Sequence, residues 1–135
     1  MGAGIEEIER FLLAYGEALG AGDGEAVARL WQVPALVVSD EGSIAVTSSE
    51  LVAEFFAQAP AQYHEVGIVA TRAEAVAIEQ LSDQLCTVDV RWVGIDADGR
   101  PTEHRELSTY LLRRDADGTV RVQVAIARPS RIPEG

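Results

Sequence analysis

The first twenty residues place apolar side chains three or four positions apart, which is the spacing of one face of an α-helix. This stripe consists of Ile5, Ile8, Leu12, Tyr15 and Leu19. Gly20 and Gly22 follow the stripe and predict the end of a helix over residues 4–20. A buried hydroxyl without a hydrogen-bond partner costs about 1–3 kcal/mol. We therefore expect the Tyr15 phenol to bond either to a neighbour in the core or to a ligand in a cavity.

Capping signals predict two further helices. Asp23 belongs to the residue types that cap a helix N-terminus, and the apolar spacing after it predicts a short helix over residues 24–31. Thr47 and Glu50 form a capping box, in which each side chain bonds to the backbone of the other residue. This box predicts a third helix that runs to Pro60.

The remaining segments alternate apolar and polar residues, which is the period of a β-strand. Two short strands are expected at 35–40 and 44–46, and four long strands after Tyr63. The clearest alternation places Cys86, Val88, Val90 and Trp92 on one side. The sequence Asp-Ala-Asp-Gly occurs at 96–99 and at 115–118. Asp-Gly between alternating strands predicts tight hairpin turns at both places.

This order of elements predicts the fold class. Helices in the first half followed by hairpin-connected strands are typical of an α+β domain. We expect a strongly curved antiparallel sheet wrapped around three helices, with an open mouth at one end. Residues 1–135 are expected to form a single domain, since their number suits one core, and residues 129–135 a loose C-terminal tail.

Composition narrows the range of partners. The 135 residues carry 22 acidic and 11 basic side chains, a formal net charge of −11. Such a chain is repelled by phosphate, which argues against nucleic acid and against anionic membrane surfaces. All of the basic residues are arginine, so a lysine nucleophile or Schiff base is excluded. No apolar run reaches the length of a membrane span, and the start does not resemble a signal peptide, which predicts a cytoplasmic location.

The metal-binding and redox residue types are few. Cys86 is the one cysteine, so an intrachain disulfide is excluded. His64 and His104 cannot by themselves supply the three protein ligands of a catalytic zinc site. We therefore expect no metal and no cofactor.

Two stretches resemble the nuclear-transport-factor-2-like superfamily: AYGEALGAGDGEAVARLW near the start, and RW…DGRP…ELSTYLLRR…DG in the second half. Within it, the chain is similar to small bacterial proteins of the SnoaL-like and ketosteroid-isomerase-like kind, over residues 4–128. The resemblance implies a cone-shaped, cystatin-like fold with a ligand pocket inside, and a homodimer formed through the sheet. The superfamily includes enzymes and binding modules, so the function has to be argued from the site.

The resemblance also implies roles for individual residues. Tyr15 matches the tyrosine that donates to the oxyanion in ketosteroid isomerases. The aspartate base of those enzymes falls on Ser39, with Asp40 next to it, and this departure counts against steroid-isomerase activity. Asp40 could replace the base only if a bulge turned it inward. Tyr110 falls at the position of the second oxyanion donor.

The strand that carries Tyr110 supplies further candidates, because every second residue shares its face. That row contains His104, Glu106, Ser108 and Tyr110, and the neighbouring strand adds Val88, Val90 and Trp92. Glu106 is the candidate general base, since a carboxylate in an apolar cavity becomes a stronger base, and His104 could orient it. In the opposing interpretation, both side chains lie at the open rim and are solvated. Trp31, Phe55 and Phe56 are interpreted as core residues that would also form a wall of any pocket.

Three functions remain open at this point. The first is a SnoaL-like pocket protein that binds a small apolar molecule. The second is a cofactor-free isomerase, cyclase or dehydratase, in which Glu106 or Asp40 abstracts a proton next to a carbonyl and Tyr15 and Tyr110 stabilise the oxyanion. The third is a non-catalytic dimeric scaffold.

Overall fold

The computed structural model describes residues 5–57 and 67–128, and within these ranges it leaves out four side chains. The four are those of Ile5, His104, Arg105 and Arg128. The predicted end of the third helix at Pro60, the residue His64 and the predicted tail at 129–135 therefore lie outside the described residues.

Residues 5–57 contain three α-helices: α1 (Ile5–Ala21), α2 (Gly24–Arg29) and α3 (Ser49–Ala57). The predicted cap of α2 is confirmed, because the Asp23 carboxylate accepts from the backbone N–H of Ala26 over 3.0 Å. The predicted cap of α3 is wrong by one residue. Ser48 Oγ accepts from the backbone N–H of Leu51 over 3.3 Å, so Ser48 caps the helix in place of Thr47.

The second helix is also shorter than predicted. It ends at Arg29, and Trp31 begins the first strand. The reason is a long-range hydrogen bond, in which the backbone N–H of Val122 donates to the Leu30 carbonyl over 2.8 Å. This bond places the chain in the sheet although the helical spacing of apolar residues continues to Trp31. Trp31 pairs with Val122 in the sheet.

In the described part of the chain, six strands form one sheet in the order β2-β1-β6-β5-β4-β3. The strands are β1 (Trp31–Ser39), β2 (Gly42–Val46), β3 (Ala70–Gln80), β4 (Leu85–Ile95), β5 (Pro101–Arg114) and β6 (Val120–Arg128). Every neighbouring pair is antiparallel except β1 and β6, which are parallel. The sheet is thus mixed, because its first and last strands in chain order meet at its centre and most of the chain forms the connection between them.

Both predicted hairpins are confirmed. Gly99 and Gly118 have φ angles of 80° and 87°, a left-handed conformation that glycine adopts without a steric penalty. In the first turn, the Asp96 carboxylate also accepts from the backbone N–H groups of Asp98 and Arg100. These turns fix the register of β4, β5 and β6.

The predicted division of β4 into two faces is also confirmed. The inner-face residues Cys86, Val88, Val90 and Trp92 are all buried and belong to the main hydrophobic cluster. On the outer face, Thr109 donates to the Asp89 carboxylate over 2.8 Å, and Arg91 pairs with Glu74 on β3. The inner face of β4 and β5 and the apolar stripe of α1 therefore share one core.

One glycine fixes the distance between α2 and α3. A Cβ atom on Gly24 would lie 2.0 Å from the carbonyl oxygen of Ala53, and this oxygen belongs to the backbone and cannot move aside easily. The close approach of the two helices therefore requires the missing side chain.

We expect Gly24→Ala to lower the free energy of unfolding by about 1–3 kcal/mol, the usual cost of overpacking. The matched control is Gly20→Ala in α1, where the nearest atom to the new Cβ lies 4.0 Å away. A helical Gly→Ala change without a clash typically stabilises by about 0.5–1 kcal/mol. Urea unfolding of both variants tests this, and equal midpoints would contradict the close approach.

Candidate functional site

The Tyr15 phenol has a partner in the core. Tyr15 is 1% exposed, and the indole Nε1 of Trp31 donates to its hydroxyl over 3.0 Å. The position of Trp31 at the start of β1 brings this indole to α1. The neighbour foreseen for Tyr15 is thus another of the predicted site residues.

Tyr110 is held in the same way. The indole Nε1 of Trp92 on β4 donates to its hydroxyl over 3.1 Å, and this bond is also buried. The ring centres of Tyr15 and Tyr110 lie 5.7 Å apart at 43°. Phe56 of α3 packs against Tyr15 and Trp31, with ring centres 6.2 Å and 5.9 Å away. We call these five residues the aromatic cluster: Tyr15, Trp31, Phe56, Trp92 and Tyr110.

Burial raises the pKa of Tyr110 above the ordinary tyrosine value of 10.0, and the charge of Glu106 raises this pKa further. Hydrogen bonds with Ser108, Trp92 and Tyr15 act in the opposite direction but do not cancel the effect of burial. Tyr110 therefore keeps its proton at neutral pH and remains a hydrogen-bond donor. Since an indole N–H already donates to each phenol oxygen, each phenol hydrogen has to point to another acceptor.

Glu106 and Ser108 lie on the same face of β5 as Tyr110. In the register with β4, Tyr110 is opposite Val88, Ser108 opposite Val90 and Glu106 opposite Trp92. Val88 and Val90 are fully buried, whereas Ser108 and Glu106 are partly exposed. The polarity of the row thus increases from Tyr110 towards Glu106.

Three other predicted site residues are not members of the aromatic cluster. Asp40 lies in the turn between β1 and β2 and is exposed. The interpretation of Phe55 as a core residue is wrong, because its side chain is 70% exposed at the end of α3. Its ring centre lies 4.9 Å from that of Phe56. The side chain of His104 lies outside the described part of the chain. The geometry thus groups the predicted aromatic residues more closely than the predicted acids.

A concave region away from the aromatic cluster was not found by sequence analysis. It is a groove of about 620 Å³ between α1 and the start of β3, and Tyr15, Glu106 and Tyr110 do not line it. Leu13, which is 64% exposed, lies in this groove between Glu9 and Glu17. The signal for this groove in the sequence is Leu13, an apolar residue outside the helical stripe.

Within residues 5–57 and 67–128, no group of three or more His, Cys, Asp and Glu side chains is arranged to hold a metal ion. Among the helices that the structure describes, none combines the length and the apolar character required to cross a bilayer.

The raised pKa of Tyr110 predicts alkaline destabilisation. Above pH 10, tyrosine in the unfolded chain loses its proton while Tyr110 in the folded chain retains it, so the free energy of unfolding falls as pH rises. The slope for one such proton is at most about 1.4 kcal/mol per pH unit. Urea unfolding between pH 8 and pH 11 measures it.

In this titration, Tyr110→Phe is expected to show a shallower slope than the parent above pH 10. Burial also raises the pKa of Cys86 above its ordinary value of 9.0, so Cys86→Ala serves as the control for the thiol. Parallel curves for the parent and Tyr110→Phe would contradict the assignment to this phenol.

Comparison with known proteins places this geometry in a family. The family model described as NTF2-like protein (DUF6841) matches residues 6–130. No curated protein matches the chain. The NTF2-like name is the abbreviation of the superfamily that the two sequence stretches resemble.

Several solved structures share the fold. A cystatin-like domain of unknown function from Nostoc punctiforme is 17% identical with a TM-score of 0.69, and the match covers 96% of this chain and 78% of that one. An NTF2-like protein from Novosphingobium aromaticivorans is 17% identical with a TM-score of 0.69, and the match covers 96% of this chain and 82% of that one. A ketosteroid isomerase-like protein from Erwinia carotovora atroseptica is 20% identical with a TM-score of 0.65, and the match covers 90% of this chain and 92% of that one.

At these identities the structures show the fold alone, and the family assignment rests on the family model, which spans nearly the whole chain. The three helices, the curved mixed sheet and this match agree, and the chain belongs to the NTF2-like family DUF6841.

Proposed function

We propose that this protein binds a small apolar molecule that carries an oxygen atom, such as a ketone or a phenol, inside the cone. The hydroxyl groups of Tyr15 and Tyr110 form hydrogen bonds to that oxygen. The observation that carries the proposal is the pair of adjacent buried phenols, each of which accepts an indole N–H.

The number of donors in the aromatic cluster supports this function. Trp31 and Trp92 use one acceptor position on each phenol oxygen, and a bond between the two phenols uses one phenol hydrogen. The hydrogen of the other phenol points to an acceptor beyond the pair. Ser108 is bonded to Tyr110 and can accept this hydrogen in the unliganded protein. A ligand oxygen would compete with Ser108 for the same donor.

The aromatic rings support the choice of an apolar ligand. Small-molecule sites are mostly apolar, with a few polar groups that fix the orientation of the ligand. The aromatic cluster combines five rings with two hydroxyl groups, and the partly exposed Ser108 and Glu106 continue it along β5. A ligand that enters from the Glu106 end would meet the phenols last.

A catalytic role is the second proposal, and Glu106 is the observation that favours it. Glu106 lies on the phenol face of β5, and its charge acts on Tyr110. A carboxylate on the same sheet face as two neutral phenol donors supplies the groups that proton abstraction beside a carbonyl requires, since the base takes the proton while the donors stabilise the oxyanion. Asp40 is the less favoured base because it lies in an exposed turn.

Binding can be measured through tryptophan fluorescence, because Trp31 and Trp92 are the two tryptophans of the chain. We expect 2-naphthol to change this fluorescence saturably. Tyr15→Phe and Tyr110→Phe should each weaken binding by about tenfold, the loss of about one hydrogen bond. Naphthalene, which lacks the oxygen, should bind the parent and both variants equally.

The control variant for this experiment is Leu13→Ser, which changes the groove between α1 and β3 and should leave 2-naphthol binding unchanged. Equal affinities of the parent and both tyrosine variants for 2-naphthol would refute the role of the phenols. Saturable binding of neither probe would refute the proposal as a whole.

For the catalytic proposal, proton NMR in D2O can follow deuterium exchange next to the carbonyl of cyclohexanone. Loss of a general base typically lowers a rate by between about 100- and 10,000-fold, so Glu106→Gln should remove exchange above the buffer rate. Glu79→Gln on the outer face of β3 is the matched control, and Asp40→Asn tests the less favoured base. No exchange by the parent protein would refute catalysis and leave the binding proposal standing.

A further inference from the structure

The groove between α1 and β3 lies on a different side of α1 from Phe56 and Trp31. The helix contacts the strand at Gly16 and Gly20, where a Cβ atom would lie at ordinary contact distance, 3.5 Å from the Thr71 carbonyl oxygen and 4.0 Å from the Ala70 Cα. The groove beside these contacts has a volume of about 620 Å³. Its helix wall spans residues 9–20, which is about 16 Å of α-helix.

Both walls of the groove carry exposed apolar side chains. Leu13 on the helix wall is 64% exposed, and Val69 before the strand wall is 46% exposed. Leu12 and the alanines of β3 complete the apolar lining. Two large apolar side chains left in water on opposite walls of one groove form a surface that gains free energy when a ligand covers it.

The rim of the groove is acidic. The lining includes three glutamates, Glu9, Glu17 and Glu74, and one arginine, Arg72. Glu74 is paired with Arg72 over 3.3 Å and also with Arg91 on β4 over 3.6 Å. The excess negative charge therefore comes from Glu9 and Glu17, which lie one helical turn before and one turn after Leu13.

We propose that this groove is a second binding site, separate from the aromatic cluster, and that its ligand is a small organic cation with an apolar chain. The apolar chain covers Leu13 and Val69, and the cationic group lies at the rim near Glu9 and Glu17. A cation gains Coulomb energy there, whereas an anion of the same shape is repelled. The volume lies within the range of about 300–1,000 Å³ typical of small-molecule sites, which favours a small molecule over a protein partner.

Titration calorimetry with decyltrimethylammonium below its micelle-forming concentration tests the proposal, and decyl sulfate is the matched anionic probe. We expect one cation to bind per chain, with an affinity at least tenfold higher than that of the anion. The affinity for the cation should fall when salt is raised from 20 to 500 mM, because salt screens exposed charges.

Variants then locate the site. Glu9→Gln combined with Glu17→Gln should weaken cation binding at least fivefold, and Leu13→Ser should weaken both probes. The control removes the same two charges elsewhere, as Glu41→Gln combined with Glu79→Gln, and should retain the parent's affinity. These glutamates are exposed and do not line the groove. Urea midpoints of all the variants verify that the fold is kept.

Four outcomes would overturn the proposal. Equal affinity for the two probes would remove the role of charge, and equal losses in the test and control pairs would place the effect outside the groove. Weaker cation binding in Tyr15→Phe would place the probe at the aromatic cluster. In addition, light scattering of Leu13→Ser without probe would reveal a change in oligomeric state if a second copy of the chain, and not a cation, occupied the groove. None of these results depends on 2-naphthol binding.

Discussion

The two hydrogen bonds from indole to phenol are the constraint on which the core depends. A core that buries two phenols has to provide partners for them, because each unpaired hydroxyl would cost a large fraction of the stability of a small domain. Trp31 provides one from the start of β1 and Trp92 the other from the middle of β4. The first bond ties α1 to β1, and the second joins the neighbouring strands β4 and β5. Since the rings of Tyr15 and Tyr110 also pack against each other, the position of the helix and the position of the candidate site depend on the same contacts.

The sequence predicted the parts of the fold that depend on local chemistry. The stripe of α1, the cap at Asp23 and the turns at Gly99 and Gly118 are each encoded within a few residues, and all of them are confirmed. The parts that depend on distant contacts were missed. The early end of α2 follows from the bond between Val122 and Leu30, and the residues near Leu30 do not predict this bond.

The candidate site divides in the same way. Period-two alternation placed Glu106, Ser108 and Tyr110 on one face, as the register shows, because side-chain direction in a strand is a local property. The bonds from the two indoles could not be predicted, since neither is encoded within a few residues. The bond from Trp31 to Tyr15 depends on the packing of α1 on the sheet, and the bond from Trp92 to Tyr110 depends on the register between β4 and β5. The groove beside α1 was missed because helical periodicity identifies the side that is buried and says little about what the opposite side meets.

The parallel pair at the centre of the sheet has a consequence for how the chain reaches its native state. Trp31 is adjacent to Val122, so β1 has no central neighbour until β6 has been synthesised. Contacts between residues so far apart in sequence have to close a long loop before they contribute any free energy, and such topologies fold slowly. During synthesis, Trp31 therefore lies at the end of an incomplete sheet until β6 has been made. The ordered core forms only after translation has passed this last strand.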